Sequence, residues 1–323
     1  MARGRLSVDW SELRGLIESN LRGQPGFGSN VRVEGKLVAN RDGLFHDNYA
    51  FRADGHELIL RLAKRVRPLR SLEDSREVLA REGETLRRLA TSAFPFSVPR
   101  LVCNVLDDRG QIIGLIETFV EGVPLSQITY TVDGRSRLEV IADVAAQIHR
   151  LPKAEFSHLP GCADSESHVR AQLRSLPESL FLEWPVAAVA REWITAHVDK
   201  RPATMLHGDL LPQNILWNVI GDGRISVIDW ECARIGDPTY DLAIVTRGAR
   251  KPQQESGGFQ RLLETYNTAS GTVLPESAVR IHELLLHLNW LAESAQAEEA
   301  GTLEGHGPQQ YADGLEAMLR RFR

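Results

Sequence analysis

The stretch LHGDLLPQNILWN, residues 206–218, sets His207, Asp209 and Asn214 among leucines, a proline and a tryptophan. A carboxylate and a carboxamide beside so apolar a run are costly unless something pairs with them. They either tie down a loop or wait for a ligand. A further aspartate, Asp229, closes the sequence NILWNVI, GDG, RISVIDW, which reads as two strands around a turn. A hairpin returns its second strand beside the start of the first, so Asp229 is expected near Asn214. Asp209, Asn214 and Asp229 would then offer three oxygen-bearing side chains at one end of the hairpin. Hard oxygen ligands suit Mg²⁺, which takes one or two protein ligands and fills its shell with phosphate oxygens.

The elements that must position these residues fall into two parts. VDWSELRGLIESNLRG reads as an amphipathic helix ended by the Gly/Pro-rich GQPGFGSN. Three β-like runs follow, VRVEGKLVA, NYAFRAD and ELILRLA, the last two joined at Asp54-Gly55. Residues 72–90 carry Val78, Leu79, Leu86 and Leu89 at helical spacing. After a turn at Arg109-Gly110, QIIGLIETFV reads as a strand entering EGVPL. From about residue 133 the pattern is mostly helical apart from the hairpin. The expectation is an α+β chain with a small β-rich part, 1–120, and a larger, mainly helical part, 121–323.

Composition excludes several classes. The 323 residues are 42% hydrophobic and 25% charged, an ordinary globular balance. A net charge of −5 argues against a nucleic-acid partner, which calls for a basic surplus. Cys103, Cys162 and Cys232 lie far apart with no CxxC pair, so neither a zinc site nor a disulfide framework is indicated. Without an apolar leader or membrane-length run, the expected setting is cytoplasmic, with no membrane partner. Neither GxxxxGK[ST] nor GxGxxG occurs, and GQPGFGS reads as a loop.

HGDLLPQN, VIDW and GDPTYDLA together resemble the aminoglycoside phosphotransferase family, within the protein-kinase-like fold. Kinase catalytic loops read H-R-D-x-x-x-x-N, followed by a metal-holding Asp. The resemblance implies a bilobal chain that moves the γ-phosphate of Mg-ATP, with GTP left open, to a hydroxyl of a small acceptor. Asp209 would accept the hydroxyl proton, where the bland reading is an Asx-turn or helix cap. Asn214 and Asp229 would hold Mg²⁺. His207 would pack the loop against the core. Asp237 and Asp241 would pin the loop to the next helix, Asp237 being the one expected to touch it.

The β-rich lobe would grip the nucleotide. Alternation in ELILRLAK puts Leu58, Leu60 and Leu62 on one face, Ile59 and Arg61 on the other, and Lys64 with the leucines. Arg61 thus stands where kinases carry a phosphate-binding lysine, and Glu82 matches its helix partner; the bland reading is a solvated pair. RDGLFHD, with the single glycine Gly43, would cover the phosphates. Glu117, Thr118, Phe119 and Val120 would form the hinge whose main chain meets adenine.

Gly208 replaces the kinase loop arginine, and few residues separate Asp229 from GDPTYDLA, so there is no activation segment on which a peptide could lie. A small hydroxylated acceptor is the better reading, the alternative being a nucleotide-binding scaffold without transfer. Residues 281–319 hold Glu283, Glu293, Glu298, Glu299, Glu304, Asp313 and Glu316 and no Lys or Arg. Such a lining would suit a polycationic, aminoglycoside-like acceptor, although a solvated helical face explains it as well. Trp184 and Trp193 are expected in the core. Oligomeric state is not legible.

Overall fold

Leu13, Ile17 and Leu21 recur every four residues, and they are the buried stripe of α1 (Trp10–Leu21). In the computed structural model, the described residues are 10–39, 46–64, 72–131, 134–219, 221–245, 257–303 and 305–322. Gly43 and Glu304 therefore lie outside the described residues. After α1 come β1 (Val33–Ala39), β2 (His46–Ala53), β3 (His56–Ala63), α2 (Leu72–Leu89), β4 (Leu101–Leu106) and β5 (Ile112–Thr118). The five strands form one antiparallel sheet in the order β1-β2-β3-β5-β4. Asp54 and Gly55 both take positive φ, 47° and 80°, which lets a two-residue turn follow the strand twist.

The sheet has two different faces. Leu58, Leu60 and Ile116 join Tyr49 and Phe51 in a core with α1. Alternation turns Ile59 and Arg61 the other way, toward the side packed by α2. Gly114 on β5 has a steric reason. A Cβ there would lie 2.5 Å from the Arg61 carbonyl oxygen, so only glycine lets the strands close behind that arginine.

The chain continues through β6 (Val123–Pro124), α3 (Arg137–His149), α4 (Ser165–Ser175), α5 (Glu178–Glu183), α6 (Pro185–His197) and β7 (Thr204–Leu206). The hairpin strands β8 (Ile215–Trp217) and β9 (Ile225–Val227) follow, then β10 (Arg234–Gly236), α7 (Thr239–Val245), α8 (Gly258–Ser270), α9 (Glu276–Glu299) and α10 (Pro308–Arg321). Contacts group Met1–Gly122 with Leu216–Cys232, and Val123–Ile215 with Ala233–Arg323. Periodicity alone assigns all of 121–323 to the second part; the hairpin instead clusters with the first. The reason is a pair of main-chain bonds, Ser97 N–H to Ile225 O at 3.0 Å and Val227 N–H to Ser97 O at 2.9 Å.

The second unit is built around Val169, Phe181, Ile194, Leu284, Leu288 and Leu315, with Trp184 and Trp193 packed against them. α3 lies on α8, and α9 on α10. β7 and β10 pair antiparallel, Leu206 opposite Arg234. Three-residue strands are too short to show an alternation, so the sequence reading passes over them. Among the described residues no helix is long and apolar enough to cross a membrane.

Candidate active site

β7 delivers the chain into His207-Gly208-Asp209. Gly208 takes φ 80°, a left-handed conformation that an arginine there would adopt only under strain. The loop is hung on Asp241, in the first turn of α7. Asp241 accepts the Gly208 N–H at 2.9 Å on Oδ1 and the His207 N–H at 2.8 Å on Oδ2. His149 Nε2 lies 3.2 Å from the same Oδ2, and Tyr266 Oη lies 2.8 Å from His149 Nδ1. Burial alone would raise the proton affinity of Asp241, but the bonds from His149 and His207 bring it below the ordinary carboxylate range. His207 is fully buried, and its Nδ1 accepts the Asp209 N–H at 3.2 Å.

Asp209 is half-buried, and Asn214 holds it. Asn214 Nδ2 donates to the Asp209 carbonyl at 2.8 Å and to Oδ2 at 3.0 Å. With both bonds made by nitrogen, Asn214 Oδ1 has no hydrogen-bond partner among the described residues. Asp237 corrects an expectation: Asp241, not Asp237, touches the loop. Asp237 accepts from Thr239 N–H at 3.1 Å and Arg201 at 2.8 Å, and His282 Nε2 lies at 3.1 Å. Burial opposes its charge, but His282 and Arg201 outweigh it, so its proton affinity falls. Side chains on a helix lean toward its N-terminus, which aims Asp241 back at the loop.

In the first unit Arg61 is buried, and so is Glu82 on α2, which excludes a solvated pair. Arg61 Nη1 donates to Glu82 Oε1 at 2.8 Å; Nη2 donates to Asp229 Oδ1 at 2.8 Å and Glu231 Oε2 at 3.1 Å. Lys64 turns elsewhere, to Asp47 at 3.2 Å. Glu231 also lies 2.6 Å from His46 Nδ1, a distance that requires the nitrogen to donate. Asp229 leaves β9 with φ 69°, a strained value for a residue with a side chain. Trp230 clamps that turn. Its indole is buried, donates to Val227 O at 3.1 Å and stands edge-on to Phe94.

The electrostatics around Arg61 are one-sided. Burial works against its charge, but Glu82, Asp229, Glu117 and Glu231 hold it firmly protonated. Burial likewise raises the proton affinity of Glu82; Arg61 opposes this, and Glu117, Asp229 and Glu231 add to it. Glu117 is pushed up to about 7, by burial first, with Arg61 opposing and Asp229 adding. The buried Glu82 Oε2 has no hydrogen-bond partner among the described residues. Glu231 and His46 escape the sequence reading because their contacts span 170 and 15 positions of chain. The acidic residue two places after Asp229 is the one signal that could have found Glu231.

A pocket of about 160 Å³ opens beside this cluster, lined by Asn48, Ile59, Arg61, Pro99, Glu117, Thr118, Phe119, Val120, Ile228 and Asp229. The Thr118 N–H is spent on Arg100 O and the Phe119 N–H on Glu57 O, each at 3.0 Å. The Val120 N–H has no hydrogen-bond partner among the described residues. In the acidic stretch, Glu293, Glu298, Glu299, Asp313 and Glu316 are exposed, whereas Glu283 is buried against Arg280. Among the described residues no group of three or more His, Cys, Asp or Glu is placed to hold a metal by itself.

Known proteins resemble this chain in sequence and in fold. A 30% identical segment of 116 residues, 34% of this chain, matches Protein LicA of Haemophilus influenzae over 40% of that protein. Acyl-CoA dehydrogenase family member 11 of Pongo abelii matches 68% of this chain at 24% identity, over 28% of its own length. The chain thus spans two fifths or less of these curated relatives. Macrolide 2'-phosphotransferase MphH from Brachybacterium faecium superposes with a TM-score of 0.64 at 23% identity, covering 96% of this chain and 97% of that one. The GDP and kanamycin complex of APH(2")-IIIa gives 0.66 at 16% identity, covering 96% and 99%. The fold is therefore the protein-kinase-like one of the aminoglycoside phosphotransferases, a β-rich first lobe and a larger helical second. A model of the phosphotransferase enzyme family, APH, matches residues 36–296, and the chain belongs to that family.

Proposed function

We propose that this chain transfers the γ-phosphate of Mg-ATP to a hydroxyl of a small acceptor, an aminoglycoside-like antibiotic or a hydroxylated metabolite. The observation that carries the reading is the Asp209–Asn214 pair, a half-buried carboxylate held by the Asn214 amide on a loop hung from Asp241. Such a carboxylate can take the proton of a hydroxyl and orient it for in-line attack. The kanamycin and macrolide chemistry in the names of the structural relatives supports a small hydroxylated acceptor.

The residues fit a magnesium nucleotide. Asn214 keeps a side-chain oxygen without a partner among the described residues, and Asp229 offers a carboxylate; these are the proposed metal ligands. One or two protein ligands suffice for Mg²⁺, so a preformed carboxylate cluster is not needed. Bound there, the ion would neutralise phosphate charge. Arg61 would hold phosphate oxygens with a fork that Glu82 keeps aimed, and His46 would brace Glu231 behind it. Ile59 and Ile228 would flank the base, and the main chain of Glu117–Val120 would meet its edge through the Val120 N–H.

The first unit would thus be the nucleotide lobe and the second the catalytic and acceptor lobe. The test is a panel of aminoglycosides, macrolides and hydroxylated metabolites incubated with Mg-ATP, with product mass read directly. A gain of one phosphate on one acceptor, lost in Asp209→Asn and in Arg61→Met, is the expected result. Nucleotide binding without transfer to any acceptor would favour the scaffold instead.

A further inference from the structure

Glu117 is 7% exposed and lines the pocket beside Asp229, and its carboxylate makes no hydrogen bond among the described residues. A buried carboxylate without a bonding partner is expensive. Its backbone register shows where it points. Glu117 stands opposite Ile59 on β3, two residues from Arg61, and so shares the pocket face with both. Directly after it the main chain runs along the pocket edge to Val120, whose N–H is also unpartnered. This edge therefore sets the Val120 N–H donor along the same wall as the Glu117 carboxylate.

With its 6-position turned to Glu117 and N1 to the Val120 N–H, adenine is the complement of that pattern and guanine is not. Adenine offers a ring acceptor at N1 beside an amino donor at its 6-position. Guanine reverses both, with an N1–H donor beside a carbonyl acceptor. An ionised carboxylate accepts and cannot donate, so it takes the amino group and repels the carbonyl. We infer that the Glu117 side chain is a specificity-determining residue that selects a 6-amino purine nucleotide over a 6-oxo one. The inference rests on the nucleotide reading above and deepens it, turning Glu117 from a contributor of main chain into a reader of the base. Burial pushes Glu117 up to about 7, and Arg61 and a bound amino donor both oppose that rise.

The test compares ATP, GTP and purine riboside triphosphate, which lacks any 6-substituent, by displacement of a fluorescent nucleotide from the full chain with Mg²⁺. The assay is run at pH 8.5, where the carboxylate form prevails. The parent should bind ATP at least ~10-fold more tightly than either analogue, the loss of one hydrogen bond to a charged group. Glu117→Gln carries a donor as well as an acceptor, and should bring ATP and GTP within ~3-fold of each other. Equal binding of the three nucleotides by the parent, or an unchanged ATP-to-GTP ratio in a folded Glu117→Gln, overturns the inference while leaving phosphotransfer standing. Should Glu117→Gln fail to fold, Glu117→Met, of similar length and without an acceptor, takes its place and should likewise lose the preference for ATP over GTP, an unchanged ratio there overturning the inference. Binding of no nucleotide overturns both readings.

Discussion

Two groups of buried carboxylates sit in this chain and have opposite characters. Asp241 and Asp237 have every oxygen answered, by two loop N–H groups and His149 in one case and by Arg201, His282 and Thr239 in the other. Burial opposes their charge, but the partners win and their proton affinity falls. Around Arg61 the balance runs the other way. One guanidinium faces Glu82, Asp229, Glu117 and Glu231, and both Glu82 and Glu117 hold protons more tightly than usual. The first group is complete as folded, whereas the second carries surplus negative charge and unanswered oxygens that a cation or a donor could satisfy. Acids with a complete set of partners and acids left with surplus charge are told apart here by those partners, not by their burial.

The comparison breaks first at Asp241. Asp241→Ala would strand two loop N–H groups and His149, and should cost about 3 kcal/mol in urea unfolding. Glu117→Gln removes an unanswered charge and should cost little or stabilise. Equal losses in the two variants would erase the distinction. Next comes Asp209→Asn, which should lower kcat by at least ~10²-fold while ATP affinity stays near the parent value, because the loop and its Asp241 anchor persist. A parallel loss of ATP affinity, measured by nucleotide displacement, would show that the two regions do not divide the work.

The pH dependence sharpens the comparison further. Glu117 sits at about 7 in the folded chain against an ordinary value of 4.5, so between these the folded state binds a proton the unfolded state has released. Its contribution is therefore fully present below pH ~4.5 and lost as pH rises through ~7, on the order of 1–3 kcal/mol. Asp241 and Asp237 behave oppositely: their contribution is present above the ordinary carboxylate range and lost as pH falls below it. Stability from unfolding curves should decline between pH 5 and 8 in the parent and decline less steeply in Glu117→Gln, where Glu82 still contributes in the same direction. The smallest effect is expected from Tyr266→Phe. It removes one bond to His149, for about 1 kcal/mol of stability and a modest fall in kcat with acceptor KM unchanged.

Much of this was legible before any coordinates. The leucine alternation in ELILRLAK put Arg61 on the face where it meets Glu82, and the hairpin around GDG ends at Asp229 as its strands require. Contacts without a periodic signature were not legible. Nothing local in LFHDNYAF announces that His46 meets Glu231, and β7 and β10 are too short to alternate. Asp237 and Asp241 are both acids in GDPTYDLA. Only the helix that begins between them decides which one reaches the loop.

The left-handed turn at Asp229 has a consequence for how this position can vary in descent. The metal role proposed for Asp229 asks for a carboxylate, and φ 69° asks for a residue that tolerates the left-handed region, which beyond glycine means chiefly Asn and Asp. Glutamate, the nearest chemical neighbour, fails on backbone grounds; glycine and asparagine pass the backbone and lose the charge. Two independent filters overlap on a single amino acid. On the proposed role, a change at position 229 would act abruptly, keeping the fold and losing the metal contact with no graded series of weaker variants between.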